Sequence, residues 1–451
     1  MFDTIARMSL ATSGRCASLA HAALKRIARI EAGEVAASLW SFACFFCVLC
    51  GYYILRPLRD EMGVQGGVEN LPWLFSATFV AMLAAVPLFA FAAARLPRRR
   101  LVPWTYLFFI ANVLVFYALF AGGVAPPVVA RGFFIWVSVF NLFVVSVFWS
   151  LMTDLFRPEQ AQRLFGFVAA GGSCGALVGP TLTASLAVPL GTANLLLVSC
   201  GFLALALICI HALLRGARAA AATADPSAGA AAPGPIGGTT WSGVAEIARS
   251  PYLLGVVAYV LLYTVLFGFA YFELARLVAA EHADPAQRTV LFARMDLAVN
   301  VLTLLGQLFV VAKLVEKRGV GVALALLPAL GLIGFAAIGL APVLAVLIAF
   351  QVLRRAADYA IARPAREMLF TVLGREAKYK SKNFIDTVVF RGGDAASGWI
   401  YAALKSLGLS LAGLAAAAIP GAILWLALGL LLGKQHARLA ATPASKTASQ
   451  S

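Results

Sequence analysis

Charge is scarce in this chain of 451 residues: 12% are Asp, Glu, Lys or Arg, the acids number 20, and there are four histidines. Soluble globular chains are about a quarter charged and half apolar. A chain that is 62% hydrophobic, with a mean hydropathy of +0.89, has too little polar side chain to cover a surface facing water. A soluble protein is excluded, and an all-α polytopic membrane protein is expected. The few histidines argue against a metal centre, as do the seven cysteines, of which Cys44, Cys47 and Cys50 recur every third residue and so spread over neighbouring helical turns. No cofactor is expected. No nucleophile–base pair, metal-ligand spacing or phosphate-cradling loop is present, so no enzyme activity is expected either. Residues 1–36 are basic without the apolar core and cleavage site of a signal peptide, and read as a cytoplasmic, interfacial segment.

What the chain has in abundance is long apolar runs. A span needs about 20 apolar residues, and the runs fall at 37–55, 71–94, 101–121, 132–153, 164–187, 192–214, 251–272, 290–312, 320–340, 342–362, 383–404 and 408–433. That makes about twelve spans. The net charge of +16 follows the alternate connections, with Arg95 and Arg98–Arg100, Arg157 and Arg163, Lys313, Lys317 and Arg318, and Arg375–Lys382 on one side. Cytoplasmic loops collect Lys and Arg. Both termini are therefore expected in the cytoplasm of a multi-pass protein of the bacterial inner membrane. Topology explains the basic balance with no nucleic-acid partner; the partners expected are the lipid bilayer and a small anionic solute, for a monomer.

Residues 215–249 contain an Ala/Gly/Pro stretch without apolar periodicity and read as a cytoplasmic linker between an N-terminal half, 37–214, and a C-terminal half, 250–433, with a tail at 434–451. The halves carry traces of a repeat. Shifting by 218 positions carries Arg95, Arg99 and Arg100 onto Lys313, Lys317 and Arg318, and Tyr53 onto Tyr271. Asp154 before Arg157-Pro158 is matched by Asp358 before Arg363-Pro364. Two six-helix halves in parallel repeat are the layout of major-facilitator carriers.

Charges inside apolar runs are costly and are normally turned inward and used. Arg354 and Arg355 are adjacent within the tenth run and call for a polar cavity that holds an anion. Arg56 and Arg59 share a helix face at the end of the first run, with Pro57 to bend it. Glu273, among apolar neighbours, is expected to pair with Arg56 or Arg59 or to exchange a proton. In the eighth run, Arg294, Asp296, Asn300 and Gln307 read equally well as polar pairing with a neighbouring helix. In the eleventh run, Arg391 and Asp394, beside Gly392-Gly393, are expected to line the pathway near Asp386. The fifth run carries Gly166, Gly171, Gly172, Gly175, Gly179 and Pro180; this partly resembles the fifth-helix motif of major-facilitator antiporters, and helix packing explains it equally well.

Four segments, Tyr53–Gly63, Trp149–Gly175, Tyr271–Leu277 and Arg363–Asp386, together resemble the ATP/ADP (nucleotide) transporter family and its bacterial major-facilitator relatives. The resemblance implies a twelve-helix nucleotide carrier, with Arg59, Asp154, Glu273 and Arg391 at its functional positions. Arg59 stands where lysine is usual, Asp154 where glutamate is usual, and Arg391-Gly392-Gly393-Asp394 where Gly-Lys-Ser-Gly-Gly is expected.

These readings converge on a secondary transporter that moves an organic anion, a nucleotide or phosphorylated metabolite among the options, by alternating access. Arg56, Arg59, Arg354, Arg355 and Arg391 would bind the anion, with Asp154, Glu273, Asp358 and Asp394 balancing them. A non-transporting membrane sensor or assembly factor that retains the carrier fold is the alternative.

Overall fold

The computed structural model describes residues 31–223 and 242–441; among them the chain is helical, with no strand. Six long helices form the first half: α1 (Val35–Gln65), α2 (Leu71–Arg95), α3 (Arg98–Ala121), α4 (Pro126–Leu155), α5 (Pro158–Leu190) and α6 (Asn194–Thr223). After a short helix, Ser242–Arg249, the second half follows: α7 (Pro251–Glu281), α8 (Pro285–Gly306), α9 (Ala312–Leu340), α10 (beginning Leu344–Ala357), α11 (ending Phe390–Ser406) and α12 (Leu411–Ala441). Ten of these twelve are long and apolar enough to cross a membrane. The exceptions, α10 and α11, carry the charged clusters. The expectations for residues 1–30, 224–241 and 442–451 lie outside the described residues; the first part of the expected tail is helical, as α12 continues to Ala441. Where the linker is described, it is helical at both ends, as α6 reaches Thr223 and Ser242–Arg249 forms its own helix.

Local rules account for the helix starts. Ser250 and Asp284 cap α7 and α8, accepting the backbone N–H of Leu253 (3.3 Å) and Ala286 (3.0 Å), and each is followed by a proline at the first helical position. Among the described residues of the second half, wide π turns lie at Gln307–Val311, joining α8 to α9, and at Asp358–Ala362 and Ile385–Val389, within α10 and α11. Such turns are rare and tend to fall at functional sites.

Packing gathers the buried side chains into two bodies, one drawn from residues 44–214 and the other mostly from 247–432. The second body also takes in Val64, Leu71, Leu74 and Phe134, all at the end of the first half remote from the termini. The two most extensive contacts between the halves are α5 with α8 and α2 with α11, followed by α1 with α8. Exchanging the halves turns the first of these pairs into the second, as a parallel repeat requires.

Apolar surface gives helices little reason to associate in lipid, where close van der Waals contact has to serve instead. The closest contact of the first half is α5 against α1. A Cβ on Gly171, Gly175 or Gly179 would overlap the backbone carbonyl of Phe42, Phe46 or Cys50 respectively. The glycine run is therefore a packing stripe of four-residue spacing, while Gly166 has nothing within 4 Å. Gly175→Val is expected to lower the thermal unfolding midpoint in detergent through overpacking worth about 1–3 kcal/mol or more. Gly166→Ala, measured in parallel, is expected to leave the midpoint within about 0.5 kcal/mol of the parent.

Candidate functional site

Between the halves lie two adjoining chambers. The larger, about 510 Å³, is lined by α1, α4, α5, α8, α10 and α11; the smaller, about 200 Å³, lies on the side remote from the termini and is lined by α1, α2, α7, α8, α10 and α11. Arg56, Arg59, Tyr359, Phe390 and Arg391 line both and form the neck between them.

Asp296 anchors the neck. Its carboxylate, 1% exposed, is 3.6 Å from Arg56 Nε and accepts a hydrogen bond from Arg355 Nη2, so two guanidiniums from opposite halves share one acid. Arg56 also donates to Tyr359 Oη at 3.0 Å. Arg59 lies with its guanidinium 4.1 Å from the centre of the Phe134 ring, donates to Ser138 Oγ (3.0 Å), and pairs with Asp60 (3.2 Å). Asp60 in turn accepts from Tyr271 Oη of the other half at 3.1 Å.

In α10, Asp358 accepts from Tyr263 Oη at 3.0 Å and from Arg363 Nε at 3.1 Å. On a regular helix, residues five apart point about 140° away from each other. The π turn at Asp358–Ala362 closes that angle and brings Arg363 onto the face of Asp358. In α11, Arg391 pairs with Asp394 at 3.5 Å. Arg354 stands apart. It is 8% exposed, its guanidinium carbon is 4.4 Å from the centre of the Phe267 ring, and its Nε donates to Gln351 Oε1 at 2.8 Å. Among the described residues no carboxylate lies within ion-pairing distance of it, and its two terminal nitrogens have no hydrogen-bond partner.

The structure thus brings seven of the nine expected site residues, Arg56, Arg59, Arg354, Arg355, Asp358, Arg391 and Asp394, to one pair of chambers. The other two lie elsewhere. Asp154 is exposed at the termini side of α4, lining neither chamber. Glu273 is buried and held within its own half by Tyr401 Oη and Lys405 Nζ, each at 3.0 Å, which corrects the expected pairing with Arg56 or Arg59. Arg294 is exposed, and Asp386 lies 3.9 Å from Arg366 on the termini side. Arg355, expected to hold an anion beside Arg354, is matched by Asp296. Asn300 serves the seam between halves by donating to the carbonyl of Ala176 at 2.6 Å.

Arg288 and Lys405 carried no sequence signal, since each sits near a helix end and reads as a boundary charge. Arg288 proves central to closing the far end. Its Nη2 meets Glu61 Oε1 at 2.6 Å; Glu61 is fully buried, and Arg288 Nη1 donates to the carbonyls of His282 and Ala283. Phe75 against Tyr271 and Phe272, and Trp73 against Trp399, also join the halves on the side remote from the termini. The large chamber lies on the termini side of these contacts.

A cavity between two six-helix halves, with charge gathered at its waist and ionic and aromatic contacts joining the halves at one end, has the architecture of a multi-pass membrane carrier. A family model described as Major Facilitator Superfamily matches residues 39–357, and the chain belongs to that superfamily of secondary transporters. No curated protein matches its sequence. Among solved structures, a POT family transporter in complex with a thioalcohol-conjugated peptide is similar at a TM-score of 0.62 and 12% identity, over 89% of this chain and 96% of that one. The nucleoside transporter NupG is similar at 0.60 and 11%, over 89% and 99%. A bacterial homolog of the human lysosomal transporter Spinster, inward-facing and unoccupied, is similar at 0.50 and 14%, over 91% and 96%. At these identities the likeness is one of fold.

Two substitutions test this arrangement. Asp296→Asn leaves Arg56 and Arg355 facing each other without a counter-charge; removing one partner of a buried pair costs about 3–5 kcal/mol, and a large drop in the unfolding midpoint is expected. Glu61→Gln is expected to open the far end, read as faster thiol labelling of Leu274→Cys, which lines the smaller chamber, in a cysteine-free background. Unchanged labelling would show that the aromatic contacts close that end without the ion pair.

Proposed function

We propose that this chain carries an organic anion across the membrane by exposing the chambers alternately to its two sides. The observation that supports this most directly is the charge balance of the site. Six arginines, Arg56, Arg59, Arg354, Arg355, Arg363 and Arg391, line the chambers, and four aspartates, Asp60, Asp296, Asp358 and Asp394, meet five of them. Arg354 is the one left facing the smaller chamber. A guanidinium fork suits carboxylate and phosphate, whereas a cationic or neutral cargo would leave two positive charges uncompensated in a low-dielectric site. Nucleotides and phosphorylated metabolites fall within this class, in line with the resemblance to nucleotide carriers.

The distribution of basic residues supports a bacterial inner-membrane setting with both termini in the cytoplasm, so that the large chamber faces the cytoplasm in this conformation. Residues 37–214 and 250–433 rock against each other about the neck, and a single copy of the chain supplies both walls of the site.

The test is a thermal-shift screen of the detergent-purified protein against nucleotides, phosphorylated metabolites, carboxylates and peptide anions. A ligand at about 100 times its dissociation constant stabilises by about 2.7 kcal/mol. Stabilisation by at least one anion is expected, and Arg354→Gln is expected to abolish it. Flat curves across every anion, or a shift that survives Arg354→Gln, would favour a non-transporting sensor or assembly factor built on the same fold.

A further inference from the structure

We infer that the cargo bears one or two negative charges on an uncharged, hydrogen-bonding body, and that Asp394 sets this upper limit of charge; the inference rests on the anion reading of the same site. The two chambers differ in chemistry. Beyond the neck, Arg363 alone brings charge to the larger one, where it is held by Asp358, and the remaining polar lining is neutral: Tyr52, Ser138, Asn141, Ser173, Asn300 and Gln307. The side chains of Asn141 and Gln307 make no hydrogen bond within the described protein, so their amides are free to meet a ligand. At about 510 Å³ this chamber is of the size that takes a drug-sized molecule. The smaller chamber, about 200 Å³, holds Arg354, Arg355, Asp358 and Asp394. Its smaller volume suits a charged head group, whereas the body of a drug-sized ligand needs the larger chamber. A compact charged head therefore fits beside Arg354, with the body in the larger chamber.

The charge count limits the head. Six arginines against four aspartates leave a surplus of two positive charges. A third or fourth negative charge on the ligand would be buried unmatched, which a low-dielectric site penalises heavily. Asp394 holds the count at that level. Its Oδ2 is 3.5 Å from Arg391 Nη1, and both residues line the smaller chamber. Without that carboxylate, Arg391 would become another arginine free for the cargo, and the surplus would rise by one.

The experiment measures dissociation constants by thermal shift on the full-length protein in two series that hold the body constant and vary the charge: adenosine, AMP, ADP and ATP, and glucose, glucose phosphate and glucose bisphosphate, with inorganic phosphate as the head alone. In the parent, one or both monophosphates are expected to bind at least about tenfold more tightly than the neutral body, the bare phosphate and the more highly charged members. In Asp394→Asn the optimum is expected to move to the next higher charge, with affinity for that member improved by about tenfold. Tightest binding of ATP, of the bisphosphate or of bare phosphate by the parent overturns the inference and leaves the anion reading standing, as does an Asp394→Asn protein whose optimum stays in place. Tightest binding of adenosine or glucose overturns both, and so do flat curves in all series. Should Asp394→Asn fail to fold, the ranking in the parent decides the charge limit, and Asp394→Ser, expected to move the optimum in the same way, decides the role of the carboxylate.

Discussion

A guanidinium below the surface of an apolar bundle must meet a carboxylate or face a polar cavity, and Asp296 meets two at once. It belongs to α8, while Arg56 comes from α1 and Arg355 from α10, so the carboxylate ties the two halves together at the neck of the site. Coulomb attraction at these separations is strong where the surroundings are apolar, and so is the cost of taking the ions out of water. The balance favours the arrangement only while both arginines and the acid are present together. A membrane half that tilts away from its partner has to break or lengthen this contact, and the cost of doing so is the natural quantity for a bound ligand to offset.

The same reasoning separates the two seams. On the side remote from the termini, Glu61 with Arg288, Asp60 with Tyr271 and the Trp73–Trp399 contact join the halves by polar and aromatic groups that can exchange partners. The glycine stripe between α5 and α1 lies within one half and is backbone against backbone, which leaves no side chain to rearrange. Close-packed interfaces have discrete arrangements and deform little between them. The first half is therefore packed as one body, and the contacts able to exchange partners are those it makes with the other half.

The fold was largely legible in the sequence because each span is a run of apolar residues long enough to be seen in isolation, and because basic residues mark one side. The charged residues of the first, tenth and eleventh spans were legible for the same reason, standing out against an apolar background. What could not be read was how they pair. Asp358 and Arg363 meet through a π turn that a period of 3.6 residues does not anticipate. Glu273 looked isolated in its own span, and its partner Lys405 lies 132 positions away at the end of another. Arg288, one turn into α8, carries no such signal, because a charge near a helix end is ordinary and only the fold sets Glu61 beside it. Asp154, conversely, had a motif around it and no place at the chambers, which shows that local resemblance can mark a loop end as readily as a site.

The placement of the three π turns adds a last step. All fall in the second half, in or next to helices that line the chambers, and all lie on the termini side of the neck or at its level, next to or containing Gln307, Tyr359 and Phe390. A π turn rotates everything beyond it relative to a regular helix, and it weakens the ladder of backbone hydrogen bonds where it occurs. In the second half, then, the segments beyond the neck are coupled to the segments before it less stiffly than in the first. The two halves share a topology and differ in how their helices can bend. Under the proposed alternating access, the termini-side ends of α8, α10 and α11 are the segments expected to bend toward the large chamber.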